Sequence, residues 1–334
     1  MLAARQYIGK LGHTANGVVA VTSHWADGRR HAPLGVRAYY PASRLPQGKA
    51  DPKFHTKPEL AWELIEEARA QGIPFRVVVA DCVYGENAKL EGRLFGAKIG
   101  YVLALRPNQG TWQLVEDEAN PPAFTPAEAA RRAPREAWQR LVRRDSHGKE
   151  VVRFVAELEL GVAYGPTRPV RLIAATDDPD ELKPDFTWYM ATNLPIAEAT
   201  PAEVYELYCL RDWIEHYYKP AKHELGWADY QVRSAEAIER HWHLVMLAYT
   251  FSLLAGTEPT TESEANVSVE PSGGGKPQAA RIVWNEALRR VRAWLCPWAR
   301  LRLYWGQWSK APPPAGLAAL LDHVAHSRPL KVPT

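Results

Sequence analysis

The stretch TPAEVYELYCLRDWIEHYYKPAKHELGWADYQVRS, Thr200 to Ser234, begins with a helix start. The Thr200 hydroxyl can accept from the amide of Glu203 and the Glu203 carboxylate can reach back, with Pro201 at the first helical position. This pattern predicts a helix to about Tyr218. At about 100° per residue, Tyr208, Arg211 and Glu215 fall within about 60° of one another, and Lys222 joins them if the helix runs on. Val204, Leu207, Ile214 and Tyr218 lie beside that stripe. A phenol, a guanidinium and a carboxylate therefore line the margin of a buried face. Such groups cost desolvation unless charge sits opposite them.

The remainder of the chain bounds what that stripe can serve. Its 334 residues suffice for one large domain with an insertion, or for two domains. With 46% hydrophobic and 24% charged residues the composition is that of a soluble globular protein. A net charge of +3 permits a polyanionic partner without demanding one. The cysteines Cys82, Cys209 and Cys296 are scattered and odd in number, which suits a reducing cytoplasm and excludes a disulfide framework or a zinc site. MLAARQYIGK has no apolar run of the kind a signal peptide needs, and Leu244–Ala255 is too short and polar to span a bilayer.

From the N-terminus, 17–22 and 34–40 read as two strands joined at Asp27-Gly28, a hairpin signal. Glu59 to Gln71 reads as an amphipathic helix stopped by Gly72 and Pro74. Phe75–Ala80 is a short continuous apolar run, the mark of a strand covered on both faces. It ends in Asp81, with Tyr84-Gly85 beyond, a helix from about Asn87 to Phe95, and a further strand at Val102–Leu105. An aspartate at the carboxyl end of a buried strand serves either as a helix cap or as a site residue of an open α/β sheet.

Residues 151–160, 170–175 and 187–191 have strand character. Before them, Arg131–Arg144 carries six arginines and Trp138. That run suits a DNA backbone, or equally a solvated helix face followed by a turn at Ser146-His147-Gly148. Ala235 to Leu254 reads as a long, mostly buried helix, on which His241 and His243 face different sides and make no ligand pair. Residues 257–278 have linker composition, and helices are expected at 281–295 and 317–326. The arginines and tryptophans of that tail are expected to pack rather than to bind.

The spacing Tyr208-x2-Arg211-x3-Glu215-x6-Lys222 is followed by Glu224-Leu225-Gly226, Tyr230–Ser234 and the Ile238, His241, Leu244 pattern. Together these resemble the signature of insertion-sequence DDE transposases, which are built on a ribonuclease-H-like core. Strand, Asp81-x-x-Tyr84-Gly85, helix and strand resemble the second-aspartate region of the same family. The resemblance implies an α/β fold, a ribonuclease-H-like mixed sheet flanked by helices, with a β-rich insertion and a helical C-terminal region. It divides the chain into 1–107 (first part of the core), 108–190 (insertion), 191–256 (second part, with the Glu helix), 257–278 (linker) and 279–334 (helical tail).

It further implies metal-dependent DNA strand cleavage and transfer, with Asp81 and Glu215 as catalytic metal ligands for Mg2+ or Mn2+. Tyr208, Arg211 and Lys222 would hold phosphates of terminal-repeat and target DNA, in a homodimer on paired ends. Hard carboxylate oxygens suit such a cation, and a guanidinium suits phosphate. Pro220, between Glu215 and Lys222, predicts a kink or stop. The family's first aspartate stands on a strand before the hairpin, and Ala4–Tyr7 resembles the segment after that strand. That aspartate is therefore expected upstream of Met1 or on another chain, the alternative being an inactive remnant that still binds DNA. A glycosidase using Asp81 and Glu215 would suit thirteen tryptophans but leaves the Arg/Lys stripe unexplained.

Overall fold

The structure, a computed structural model, describes residues 3–8, 13–112, 123–144, 150–158 and 170–256, with 288–289, 291–292, 301, 305–306 and 308–319 beyond. The expected linker lies outside the described residues, as do most of the two tail helices and the turn at 146–148. The chain divides into two units, 1–243 and 244–334.

In the first unit, β1 (Ala4–Ile8) and β2 (His13–Gly17) pair antiparallel, and so do β3 (Ala20–Ala26) and β4 (His31–Ala38). The second pair is the hairpin expected at Asp27-Gly28. Asp27 accepts from the amides of Arg29 (2.8 Å) and Arg30 (2.6 Å), and Gly28 takes the positive φ of 85° that the turn requires. Helix α1 (Lys57–Ala70) starts at Thr56 through a capping box with Glu59. It buries Leu60 and Leu64 against Val21 of β3.

One six-stranded sheet carries the rest. It contains β5 (Val77–Ala80), β6 (Gly100–Leu105), β9 (Gln139–Arg144), β10 (Glu150–Leu158), β11 (Arg171–Thr176) and β12 (Thr187–Thr192) in the order β5-β6-β12-β11-β10-β9. Only β5 and β6 run parallel; every other neighbour is antiparallel, so the sheet is mixed. The single turn α2 (Cys82–Gly85) and helix α3 (Ala88–Gly96) connect β5 to β6, a crossover of the kind parallel strands need. A short pair, β7 (Thr111–Trp112) with β8 (Ala123–Phe124), precedes α4 (Pro126–Arg132). The strands expected to form an insertion thus continue the sheet that β5 and β6 begin.

Burial follows the two-residue period of a strand. Tyr101, Leu103 and Leu105 pack on one face with Leu90 and Leu94 of α3 and Ala129 of α4. Val102 and Ala104 pack on the other with Val204, Tyr205 and Tyr208 of α5 (Pro201–Cys209). Each fully buried Val or Leu contributes about 1.5–3 kcal/mol, so this two-faced core fixes β5 and its terminal aspartate. The sheet with helices on both faces is the ribonuclease-H-like arrangement expected.

Three expectations need correction. The helix from Thr200 does not run unbroken to Tyr218: α5 ends at Cys209, a 3-10 turn covers Leu210–Asp212, and α6 occupies Trp213–His223. Pro220 does not stop the chain, and lies inside α6. Tyr217 and Ala221, both 0% exposed, anchor the turn on either side of it and offset its lost hydrogen bond. The arginine run is likewise no single helix face, because it is shared among α4, a 3-10 turn at Arg135–Ala137 and β9.

The last helix, α7 (Ala235–Gly256), crosses the boundary between the units in sequence. Among the described residues no helix is long and apolar enough to cross a membrane.

Candidate active site

Asp81 leaves β5 and caps α2, its Oδ1 accepting from the Val83 amide at 3.0 Å. The cap reading of that aspartate holds, and the cap bond fixes the orientation of the carboxyl group at the end of the strand. Gly85 explains the Tyr-Gly that follows. A Cβ there would stand 2.0 Å from the Ala104 carbonyl oxygen, so only glycine lets the turn lie this close to β6. Tyr84, largely buried beside it, has its phenol pushed well above the ordinary range by desolvation, with the Asp81 charge adding.

Glu215 sits exposed in the first turn of α6, and Arg211 in the 3-10 turn just before it. Burial works against the charge of Arg211, yet Tyr208, Asp212, Asp81 and Glu215 outweigh it and hold the guanidinium above its usual range. One cation thus lies within electrostatic reach of two carboxylates 134 positions apart in the chain. Arg211 Nε is buried with no hydrogen-bond partner. The guanidinium lies 5.8 Å from the Tyr208 ring, and its nearest ion pair is a loose 3.9 Å contact with exposed Asp212. Tyr208 is 8% exposed; burial raises its phenol, against the pull of Arg211, so it is a neutral hydrogen-bond donor at pH 7.

Lys222 reaches the same region because α6 continues through Pro220. Its Nζ lies 4.6 Å over the ring of Tyr218. Burial raises the Tyr218 phenol, which exchanges a 2.6 Å hydrogen bond with Thr22 of β3 and also feels Glu215. His31 of β4 packs 5.0 Å from Trp213, and His24 packs 4.8 Å from Tyr217, so the hairpin holds α6 in place.

The block after the helix is a bracket for it. Gly226 adopts φ 70°, and its carbonyl meets His241 Nε2 at 2.8 Å. Trp227 stacks on Trp242 at 5.2 Å, and the Trp242 indole donates to the Trp227 carbonyl at 3.1 Å. His241 is thus a packing residue, and His243, exposed, meets the Glu239 carbonyl at 2.8 Å.

Tyr208, Asp81 and Glu215 thus bear on the charge of Arg211, while Glu215 and Lys222 neighbour Tyr218. Sequence reasoning gave no site role to Asp212, Tyr84, Tyr218 or Thr22. Tyr84 stands inside the quoted Asp-x-x-Tyr-Gly, whereas Thr22 carries no local signal. The donors suit a hard divalent cation, since Asp81 and Glu215 offer carboxylate oxygens. Among the described residues no cluster of three or more His, Cys, Asp or Glu could hold a metal. Magnesium sites often use one or two carboxylates, with water and substrate phosphate completing the shell.

A mixed α/β sheet with helices on both faces defines a ribonuclease-H-like protein. Residues 1–154 match the family described as DDE superfamily endonuclease. The chain is also similar to a probable transposase for insertion sequence element IS701 of Microchaete diplosiphon, at 34% identity over 236 residues. That similarity covers 70% of this chain and 56% of the relative, so the chain spans little more than half the relative's length. By these matches and its fold the chain is a relative of the insertion-sequence transposases of the DDE superfamily.

Proposed function

We propose that this chain is a DNA transposase of an insertion sequence, acting by metal-dependent strand cleavage and transfer. The observation that carries the reading is the packing of the Leu210–Asp212 turn, which presents Arg211 and leads into the helix of Glu215, against β5, the strand that ends in Asp81. Asp81 and Glu215 would hold one or two divalent cations, magnesium or manganese, which supply activation of the attacking oxygen and neutralise charge on the leaving one.

The chain's own groups do the positioning. Asp81 is oriented by its cap bond to Val83. Arg211 binds non-bridging phosphate oxygens through its forked donors, and the neutral Tyr208 hydroxyl donates to the same phosphate. Lys222, steadied on the Tyr218 ring, supplies a point charge one to two turns along the helix. Together they bring the phosphodiester and the attacking hydroxyl into register, which is most of what phosphoryl transfer asks of a protein. The proposal extends to terminal-repeat and target DNA as partners, a homodimer on paired ends, a cytoplasmic setting, and a linker at 257–278 before a separate tail.

A nicking assay on duplexes carrying the element's ends tests this, with and without Mg2+. Metal-dependent nicking lost in both Asp81→Ala and Glu215→Ala supports it. DNA binding without nicking at any metal concentration points to a remnant that no longer cleaves, and nicking that survives both substitutions rejects the site.

A further inference from the structure

Two arginines on the α5 face of the sheet have no role in the site above. In the β9–β10 pairing, Arg153 stands opposite Leu141 and Arg143 opposite Val151. Both side chains therefore share a face with Val155, which packs with Tyr205 and Tyr208 of α5. Arg143 lies 5.7 Å from the ring of Tyr205, and Arg153 lies 5.3 Å from the ring of Trp188. Those two rings are themselves 6.2 Å apart. Two guanidinium groups thus back onto one aromatic wall. Arg143 donates to Cys209, which ends α5 just before the turn that carries Arg211, so the row begins beside the candidate active site.

Arg171 shows what a structural arginine on this face receives. It binds Glu157 through two hydrogen bonds of 2.8 and 2.7 Å, and donates to the carbonyls of Leu194 (2.9 Å) and Ala199 (2.7 Å). Arg143 and Arg153 have no such partner: among the described residues neither forms an ion pair. Arg143 donates to the Cys209 sulfur, Arg153 to the Val152 carbonyl, and Arg153 Nε is buried with no partner. A half-buried guanidinium with an unsatisfied donor, as at Arg153 Nε, is costly unless an acceptor arrives from outside. Ring-stacked guanidinium groups are also pre-organised for phosphate.

We propose that Arg143 and Arg153 bind the phosphate backbone of duplex DNA flanking the phosphodiester held at Arg211. This rests on the transposase reading and extends it along β9 and β10.

The full chain is titrated with a labelled duplex at several NaCl concentrations, followed by fluorescence anisotropy. Arg143→Gln and Arg153→Gln are each expected to flatten the slope of log affinity against log salt by about 0.9. Arg140→Gln is expected to leave the slope alone, since Arg140 is exposed and opposite Phe154, which packs on the other face. Unchanged slopes in both test variants, or an equal change in Arg140→Gln, overturn the proposal. A change seen only with RNA duplex overturns the assignment to DNA.

A second measurement on the unsubstituted chain covers the case where a variant fails to fold. Duplex DNA is expected to shield Arg143 and Arg153 from phenylglyoxal, read by mass spectrometry, and equal labelling with and without DNA refutes it. The transposase reading fails separately: flattened slopes without metal-dependent nicking sink that reading alone, and nicking with unchanged slopes sinks this one alone.

Discussion

Replacing Gly85 with alanine puts a methyl group where the fold has no room for one. The new Cβ would meet the Ala104 carbonyl oxygen at 2.0 Å, its carbon at 3.0 Å and the Leu103 Cβ at 3.2 Å. The oxygen sits 1.4 Å inside the 3.4 Å at which ordinary contact begins, and both carbonyl atoms belong to the backbone of β6. No side chain can swing aside, so α2 must withdraw. Overpacking of this kind costs about 1–3 kcal/mol, and about 2–4 °C of melting temperature accompanies each kcal/mol in a domain of this size. Asp81 caps the same turn, so its carboxyl group moves too, and a displacement near 1 Å at a reacting centre costs about 100-fold in rate. Circular dichroism melts and single-turnover nicking on an end duplex measure the two effects side by side. Gly96 is the comparison, because a Cβ there meets nothing within 4 Å. Gly96→Ala is expected to hold or raise stability, by up to about 1 kcal/mol. The reasoning fails if Gly85→Ala melts and nicks like the unsubstituted chain, or if Gly96→Ala loses as much.

Acid should unfold the protein through His24, whose imidazole is depressed to about 3 by burial, with the neighbouring His31 adding. The unfolded chain takes a proton near 6.5 that the folded chain refuses until about 3. Stability is then complete above about pH 6.5 and falls with decreasing pH, by about 1.4 kcal/mol per unit from this group. Urea unfolding at pH 7 and pH 5 checks it, with His24→Phe expected to flatten the dependence. Arg171→Leu strands the Glu157 carboxylate, 33% exposed, and should cost about 3 kcal/mol in denaturant titrations, most of it recovered by adding Glu157→Leu. Trp242→Ala removes a ring only 1% exposed and its stack on Trp227, with an expected loss of about 3–5 kcal/mol in the same titrations.

Local signals in the sequence were the dependable ones. The Thr200 capping box forms, with Thr200 Oγ1 accepting from the Glu203 amide at 3.3 Å. The Asp27-Gly28 turn joins its two strands, and the run ending at Asp81 is a strand with Val77 and Val79 packed on one face and Val78 and Ala80 on the other. What stayed hidden depends on distant partners. Leu210–Asp212 contains neither glycine nor proline, so nothing local marks the 3-10 turn that presents Arg211. Pro220 is a strong stop in isolation, but the burial of Tyr217 and Ala221 overrides it. The strand character of 151–160, 170–175 and 187–191 identifies β10 to β12, yet says nothing of which edge they join, and β9 carried no such mark. Their union with β5 and β6 in one sheet could not be read from the period of two. Thr22 and Tyr218 meet across 196 positions, a distance over which one sequence carries no pairing information.

Whether Asp81 and Glu215 share a cation is decided by a double-mutant cycle on metal binding. Mn2+ is titrated into the full chain, with Asp81→Asn, Glu215→Gln and the double variant alongside, and bound metal is followed by electron paramagnetic resonance. A shared site predicts that each single substitution removes most of the binding and that the double removes little more. Additive losses from the two substitutions, or undiminished Mn2+ binding in either single variant, would contradict it.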